Sequence, residues 1–190
     1  MSTRTATFAL LVTAGIAVLC VGIATAQAPA RGRGAVPAPR TAQRGDLQQV
    51  MRGILFPNSN VIFSAQTQDP AAVKKDADPT SSTNPLASLY GGWQAIENSG
   101  IAIAESASLL TVAGRVCSNG KPVPLQNADW QQFVRELRAA GMAAYKAGQS
   151  KNMDAIVEVS DTVATACMNC HDVYREKTPA QGGAAARCTK

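Results

Sequence analysis

Residues 152–174 read NMDAIVEVSDTVATACMNCHDVY, and this stretch decides the fold class. Asn152 is a favourable N-cap, and Asp154 follows at the positive end of the helix that the cap would start. Apolar side chains then recur at the spacing of one helix face, at Ile156, Val159, Val163, Cys167, Cys170 and Tyr174. The pattern predicts a helix that ends near Thr178-Pro179.

A first helix is predicted to open at Asp46, whose carboxylate can cap it, with Gln49 three residues on as in a capping box. Its apolar face would consist of Leu47, Val50, Met51, Ile54, Val61, Ile62 and Ala65. Pro57 interrupts this face without ending it, so we expect a kink there.

Two further helices are predicted between these segments. One would start at the Asn84-Pro85 cap and run toward Gly114, with Gly91, Gly92 and Gly100 as weak points. Its buried face would be Leu89, Trp93, Ile96, Ile103, Ala107 and Leu110. The other would start near Asn127, with Trp130, Phe133, Val134, Leu137, Ala140, Ala144 and Tyr145 on its apolar face.

The chain shows no strand-like alternation of useful length. Four helices therefore predict an all-α protein, an up-down-up-down four-helix bundle over residues 46–178. Residues 179–190 would be a C-terminal tail rich in small residues. One compact domain is the expectation for a chain of this length.

The N-terminus has the layout of a secretory signal peptide over residues 1–26: Arg4, an apolar run over residues 8–23, and a small-residue triplet at residues 24–26. The apolar run is short for a membrane span. We therefore expect export to the periplasm and no stable membrane insertion after cleavage.

The net charge of +5 comes from outside the predicted bundle. Residues 27–45 hold Arg31, Arg33, Arg40 and Arg44 without an acid, whereas residues 46–190 hold thirteen basic and thirteen acidic side chains. The leader, residues 27–45, is Pro, Gly, Ala and Arg, which predicts disorder. A neutral domain argues against a nucleic-acid partner.

Cys167-Met168-Asn169-Cys170-His171 is the attachment pattern of a c-type haem. Two thiols at this spacing can add to the two vinyl groups of one porphyrin, and the adjacent imidazole can then bind the iron. A zinc site would need a second pair of ligands, and a thioredoxin-like redox site would need a preceding strand. A simple disulfide gives no reason for the single His of the chain to follow at once.

A candidate for a second axial ligand of the iron is found by comparing how far along the bundle axis each residue lies. The start of helix 1 would lie level with the end of helix 4, which places Met51 level with His171. The alternative for Met51 is an ordinary core residue. At the same level we expect Val50, Ile54, Leu109, Leu110, Phe133 and Val134, with Trp130 at the margin.

Cys117 and Cys188 would lie at the same end of such a bundle. In an oxidising compartment these two thiols could pair. The sequence leaves that pairing open, because spacing along a chain does not give a distance.

With the Cys167–His171 motif near the end of a fourth helix, followed by Tyr174-Arg175, residues 46–178 resemble the class II cytochromes c, the cytochrome c-prime and cytochrome c-556 family. The resemblance implies a four-helix bundle with one covalent haem c on the last helix. It implies a sixth ligand from helix 1 in the low-spin branch, matching Met51, and a role for Arg175 near the haem propionates. The chain departs from the family in its longer helix 2, its Cys117–Gln126 loop and its basic leader.

The resulting hypothesis is a periplasmic monohaem electron carrier without enzymatic turnover, with haem anchored on Cys167 and Cys170 and its iron bound by His171 and Met51. The main alternative is a five-coordinate protein that binds NO or CO. A peroxidase-like enzyme would need a distal polar group such as Gln48. The redox partner stays unidentified, and a homodimer is possible.

Overall fold

The computed structural model describes residues 45–190. Four helices pack together in this range, and the only strand-like pairing within it is an isolated bridge between Val116 and Pro122. The prediction of an all-α protein is therefore confirmed. The expected signal peptide, residues 1–26, and the leader up to residue 44 lie outside the described residues.

The first helix, α1, consists of three consecutive stretches: Leu47–Val50, a π-helical stretch at Met51–Leu55, and Phe56–Ser64. The predicted capping box is confirmed, because Gln49 N–H donates to Asp46 Oδ1 and Asp46 N–H donates to Gln49 Oε1, each at 2.8 Å.

The helix passes through Pro57, and its irregularity is the π-helical stretch just before the proline, where Phe56 N–H donates to the Met51 carbonyl. Pro57 has no N–H for the carbonyl four residues back, and its ring crowds that carbonyl. A wider helical turn accommodates both effects.

The second helix, α2, runs from Trp93–Ser106 and continues as a 3₁₀ turn over Ala107–Thr111. The predicted start at Asn84 is wrong, because Asn84 caps only a short 3₁₀ turn, Pro85–Ala87. That turn ends at Ser88, where the backbone is extended, and Gly92 adopts a φ of 62° immediately before the chain re-enters a helix at Trp93. Leu89, expected in the core, lies in this break and is 44% exposed.

Helix α3, Ala128–Ser150, and helix α4, Met153–Tyr174, are joined by a tight turn in which Lys151 adopts a left-handed φ of 52°. Asn152 caps α4 as predicted, its Oδ1 accepting from the N–H of Asp154 at 2.8 Å. The helix ends at Tyr174, before the predicted stop at Thr178.

The core is formed by the facing sides of the four helices and by Leu86 of the 3₁₀ turn Pro85–Ala87. The largest fully buried side chains are Trp130, Ile62, Leu86, Ile96, Ile103, Ile156 and Val163. Helices α2 and α3 approach most closely where Gly100 faces the backbone of Tyr145 and Gly141 faces that of Ala104. Because 100 pairs with 145 and 104 with 141, these two helices run antiparallel. Within residues 45–190 no helix is long and apolar enough to cross a membrane.

The C-terminal segment, residues 179–190, folds back onto the end of the bundle. Cys188 forms a disulfide with Cys117, and its N–H donates to the Tyr174 carbonyl at 2.8 Å. The Asn119 side chain donates to the carbonyls of Ala184, Ala185 and Arg187. The pairing that the sequence left open is thus present, and the predicted tail is an anchored part of the structure.

Candidate functional site

Two neighbouring cavities lie where the start of α1 meets the end of α4. The larger, here the apolar cavity, has a volume of about 570 Å³, and the smaller, the polar cavity, about 320 Å³. Five residues line both: Met51, Arg52, Cys170, His171 and Arg175. The cavities therefore meet at the sequence-predicted site residues.

The walls of the apolar cavity come from all four helices. They include Leu55, Phe63, Ile103, Leu110, Phe133, Val134, Leu137 and Ala166. Cys167 lines this cavity, and Cys170 lies at its boundary with the polar cavity. A volume of this order with apolar walls and few polar groups is typical of a small-molecule or cofactor pocket, which spans about 300–1,000 Å³.

The thiols of Cys167 and Cys170 are half-buried and are not bonded to each other. Burial raises the pKa of Cys170 to about 12, and negative charge on Cys167 or Asp129 acts in the same direction. Burial also raises the pKa of Cys167, against the opposing charge of Arg175. Both thiols are therefore protonated at neutral pH, which distinguishes them from the thiolates of a redox-active pair.

His171 is a half-buried imidazole on the last turn of α4. Burial lowers its pKa, and the nearby Arg175 guanidinium lowers it further, while Glu176 and Asp172 act in the opposite direction. The imidazole is therefore neutral at pH 7 and keeps a nitrogen lone pair. A neutral imidazole is the form that binds a metal.

Met51 is the first residue of the π-helical stretch and lines the same two cavities as His171. Of the neighbours expected at this level, Leu110, Phe133 and Val134 line the apolar cavity and Trp130 lines the polar one. Each of these four residues was predicted to lie near the site from its position on the face of a regular helix.

Val50, Ile54 and Leu109, expected at the same level, line neither cavity. In a π-helical turn the backbone hydrogen bond joins residues five apart, so the face that begins at Met51 continues through Leu55 and Phe56, which both line the apolar cavity, and not through Ile54. Leu109 lies in a 3₁₀ turn, whose three-residue repeat also changes which side chains point inward.

Tyr174 closes the site at the end of α4. Its hydroxyl donates to Asp129 Oδ1 at 2.8 Å and accepts from the Asn127 amide at 3.0 Å. Its ring packs edge-on against those of Trp130 and Phe133, with centroid distances of 5.1 and 6.3 Å. These contacts attach the last turn of α4, which carries His171, to the start of α3.

Arg175 lies at the mouth of both cavities. It forms an ion pair with Glu176, and the two side chains are 53% and 55% exposed. An exposed pair of this kind contributes little to stability. Its guanidinium is thus available to an anion at the rim of the site.

Several lining residues were not identified from the sequence. These are Leu47, Arg52, Leu55, Phe56, Ser59, Phe63, Ser118 and Arg187. The position of Arg187 beside Cys188 was the one available signal, since a disulfide to Cys117 would bring it to this end of the bundle. Within residues 45–190 no three His, Cys, Asp or Glu side chains converge in a way that could hold a metal ion, so the zinc alternative lacks a ligand set there.

No protein-family model, curated protein or solved structure matches this chain.

Proposed function

We propose that the chain is an exported c-type cytochrome that carries one covalent haem c and acts as an electron carrier in the periplasm. The observation that carries the proposal is that Cys167, Cys170 and His171 line one apolar cavity together with Met51. The all-helical fold and the neutral donor groups at this cavity support it.

The donor set fits a haem at this position. Cys167 and Cys170 would each add S–H across one vinyl group of the porphyrin, giving two thioethers with no leaving group. Both thiols are half-buried and protonated, so neither competes as an anionic metal ligand. The residues between them face solvent, with Met168 54% exposed, so the attachment loop does not fill the cavity.

His171 and Met51 are the residues that would hold the haem iron. The neutral imidazole of His171 offers a lone pair, and the Met51 thioether lies on the same cavities from the facing helix. The π-helical stretch supports a functional role for Met51, because such irregular turns are often found at functional sites.

A bound haem would supply one-electron chemistry by changing the oxidation state of its iron. The chain's contribution would be to exclude water with the apolar walls and to tune the reduction potential through the Met51 sulfur and through burial. Electron transfer of this kind needs no catalytic acid or base, and the partner would be another redox protein. We assign no enzymatic turnover to the site.

The size of the apolar cavity beside Met51 favours one second candidate, a five-coordinate haem protein that binds NO or CO. In that case Met51 would be a packing residue, and the apolar cavity that it lines would admit a small ligand. The two candidates share the attachment chemistry and differ only in the sixth ligand.

Optical spectra of the matured protein separate these candidates. The carrier predicts low-spin ferric and ferrous spectra, a ferric absorption band characteristic of sulfur ligation, and no rapid change on adding carbon monoxide. Met51→Ala should lose the sulfur band and bind carbon monoxide. Met153→Ala is the matched control, since Met153 starts α4 and lines neither cavity.

A high-spin ferrous wild type that binds carbon monoxide at once would contradict the carrier. Spectra unchanged in Met51→Ala would contradict ligation by Met51.

A further inference from the structure

Three arginines from separate parts of the chain line the polar cavity. Arg52 belongs to α1, Arg175 follows α4, and Arg187 belongs to the C-terminal segment. Glu176 supplies the only carboxylate among the lining residues, and it pairs with Arg175. Two guanidinium charges at this cavity are therefore not matched by an acid of its lining.

Arg187 is the most informative of the three. Its Nε is buried and has no hydrogen-bond partner within residues 45–190. A buried donor of a charged group that makes no hydrogen bond is costly, and such groups are normally paired. The arrangement points to an acceptor that is not part of the described chain.

The backbone holds Arg187 in place from both sides. Its own carbonyl accepts from the Asn119 side chain at 3.0 Å, and the next residue, Cys188, is bonded to Cys117 and donates to the Tyr174 carbonyl. The Arg187 guanidinium therefore belongs to an anchored segment and not to a free tail. A donor fixed in advance loses less entropy when it binds an anion.

We infer that Arg187 is the buried donor of a carboxylate-binding site in the polar cavity, completed by Arg52 and Arg175. The inference rests on the proposed function, because the assigned occupant is a propionate carboxylate of the bound haem. The walls of the apolar cavity would hold the apolar body of a porphyrin and the arginines of the polar cavity would hold its carboxylates, since both cavities meet at Cys170 and His171. Arg187 lies beyond the residues on which the family resemblance rests.

A guanidinium and a carboxylate bind each other with a specific geometry. A guanidinium can bind a carboxylate through two parallel N–H···O bonds, which a lysine cannot reproduce. An arginine beside a carboxylate lowers the carboxylate pKa by about one to three units. Loss of Arg187 should therefore be visible in the titration of the propionates themselves.

The experiment is ¹³C NMR of the matured protein in the ferrous state, with the haem carboxyl carbons labelled biosynthetically, over a pH titration. In the wild type at least one propionate should titrate well below an ordinary carboxylic acid. In Arg187→Gln its pKa should rise by about one unit or more. Arg138→Gln, an exposed arginine of α3 that lines neither cavity, should leave the titration unchanged.

Two further variants keep the result interpretable if Arg187→Gln folds poorly. Arg187→Lys retains the charge but not the two-point contact, so its propionate pKa should fall between those of wild type and Arg187→Gln. Cys188→Ser should reproduce the shift of Arg187→Gln, because the anchored segment would be released while Arg187 itself is kept.

The outcomes distinguish this inference from the proposed function. Protein that carries haem but whose propionate titration is the same in wild type and Arg187→Gln would overturn the carboxylate site alone. Protein that carries no haem would overturn both. Calorimetric binding of succinate to the haem-free Cys167→Ser/Cys170→Ser variant, lost on adding Arg187→Gln, together with haem propionates unaffected by Arg187, would assign the site to a free dicarboxylate and overturn the haem assignment.

Discussion

The two sides of the bundle differ in how closely their helices approach. Along the α2–α3 seam, a Cβ placed on Gly141 would lie 2.9 Å from the Cα of Ala104, so the two backbones are nearly in contact. Between the start of α1 and the end of α4, the same bundle leaves cavities of about 570 and 320 Å³.

This contrast indicates a division of roles. The α2–α3 seam is closed by small residues, since Gly100 and Gly141 each face the backbone of the other helix with no room for a Cβ. The α1–α4 side contains a π-helical stretch in α1 and is bordered by the C-terminal segment, which the disulfide anchors. This open space beside two thiols and an imidazole is the basis of our functional proposal.

The largest expected effect on stability concerns the covalent anchor of the open side. The Cys117–Cys188 disulfide spans a sequence separation of 71 residues, and closing a loop of that length restricts the unfolded chain by about 4 kcal/mol. The Cys117→Ser/Cys188→Ser variant should therefore lose about 2–5 kcal/mol in urea unfolding of the matured protein.

A mild reductant provides the matched control for the disulfide. It should lower the stability of the wild type toward that of the double variant and leave the double variant unchanged. A loss below about 1 kcal/mol would mean that the anchor contributes little to this side of the bundle.

The seam itself is tested by Gly141→Ala. The added methyl would press on the backbone of Ala104, which cannot move as a flexible side chain would, so we expect a loss of about 1–3 kcal/mol in urea unfolding. Gly53→Ala in α1 is the matched control, because nothing lies within 4 Å of the position that its methyl group would occupy. That variant should be neutral or more stable by about 0.5–1 kcal/mol. Equal effects of the two substitutions would remove the contrast between the sides.

The smallest effect is expected at the start of α1, the helix that carries Met51. Asp46→Ala removes one half of the capping box and should cost about 1 kcal/mol in the same unfolding experiment. Asp46→Asn keeps a side-chain oxygen that can accept from the Gln49 N–H, so it should stay within a few tenths of a kcal/mol of wild type. A loss in Asp46→Asn as large as that in Asp46→Ala would contradict capping as the cause.

Structural features that depend on a few neighbouring residues, such as helix caps, were predictable from the sequence. The caps at Asp46 and Asn152 and the start of α3 after Asn127 depend on a few adjacent residues, and all three are found as expected. The start of α2 was misplaced although the cap at Asn84 exists. That cap starts only one turn because the backbone is already extended at Ser88. The chain re-enters a helix only after Gly92, whose N–H donates to the Leu86 carbonyl, and no helical repeat in the sequence reveals this contact.

The grouping of the candidate site residues at one cavity was predictable in part for the same reason. Cys167, Cys170 and His171 form a contiguous motif, and Met51 was predicted from the expected heights of the first and last helices. The π-helical stretch and the docking of Arg187 were not predicted, because the first depends on how Pro57 is accommodated and the second on a disulfide that brings distant residues together. Long-range contacts of this kind leave no periodic signal in a single sequence.

The most direct test of the central proposal is the intact mass of the denatured protein, after expression in a host that attaches haem c. The wild type should be red and heavier than the polypeptide by one haem, while Cys167→Ser/Cys170→Ser should have the mass of the polypeptide alone. Colourless wild-type protein with the polypeptide mass would contradict the account.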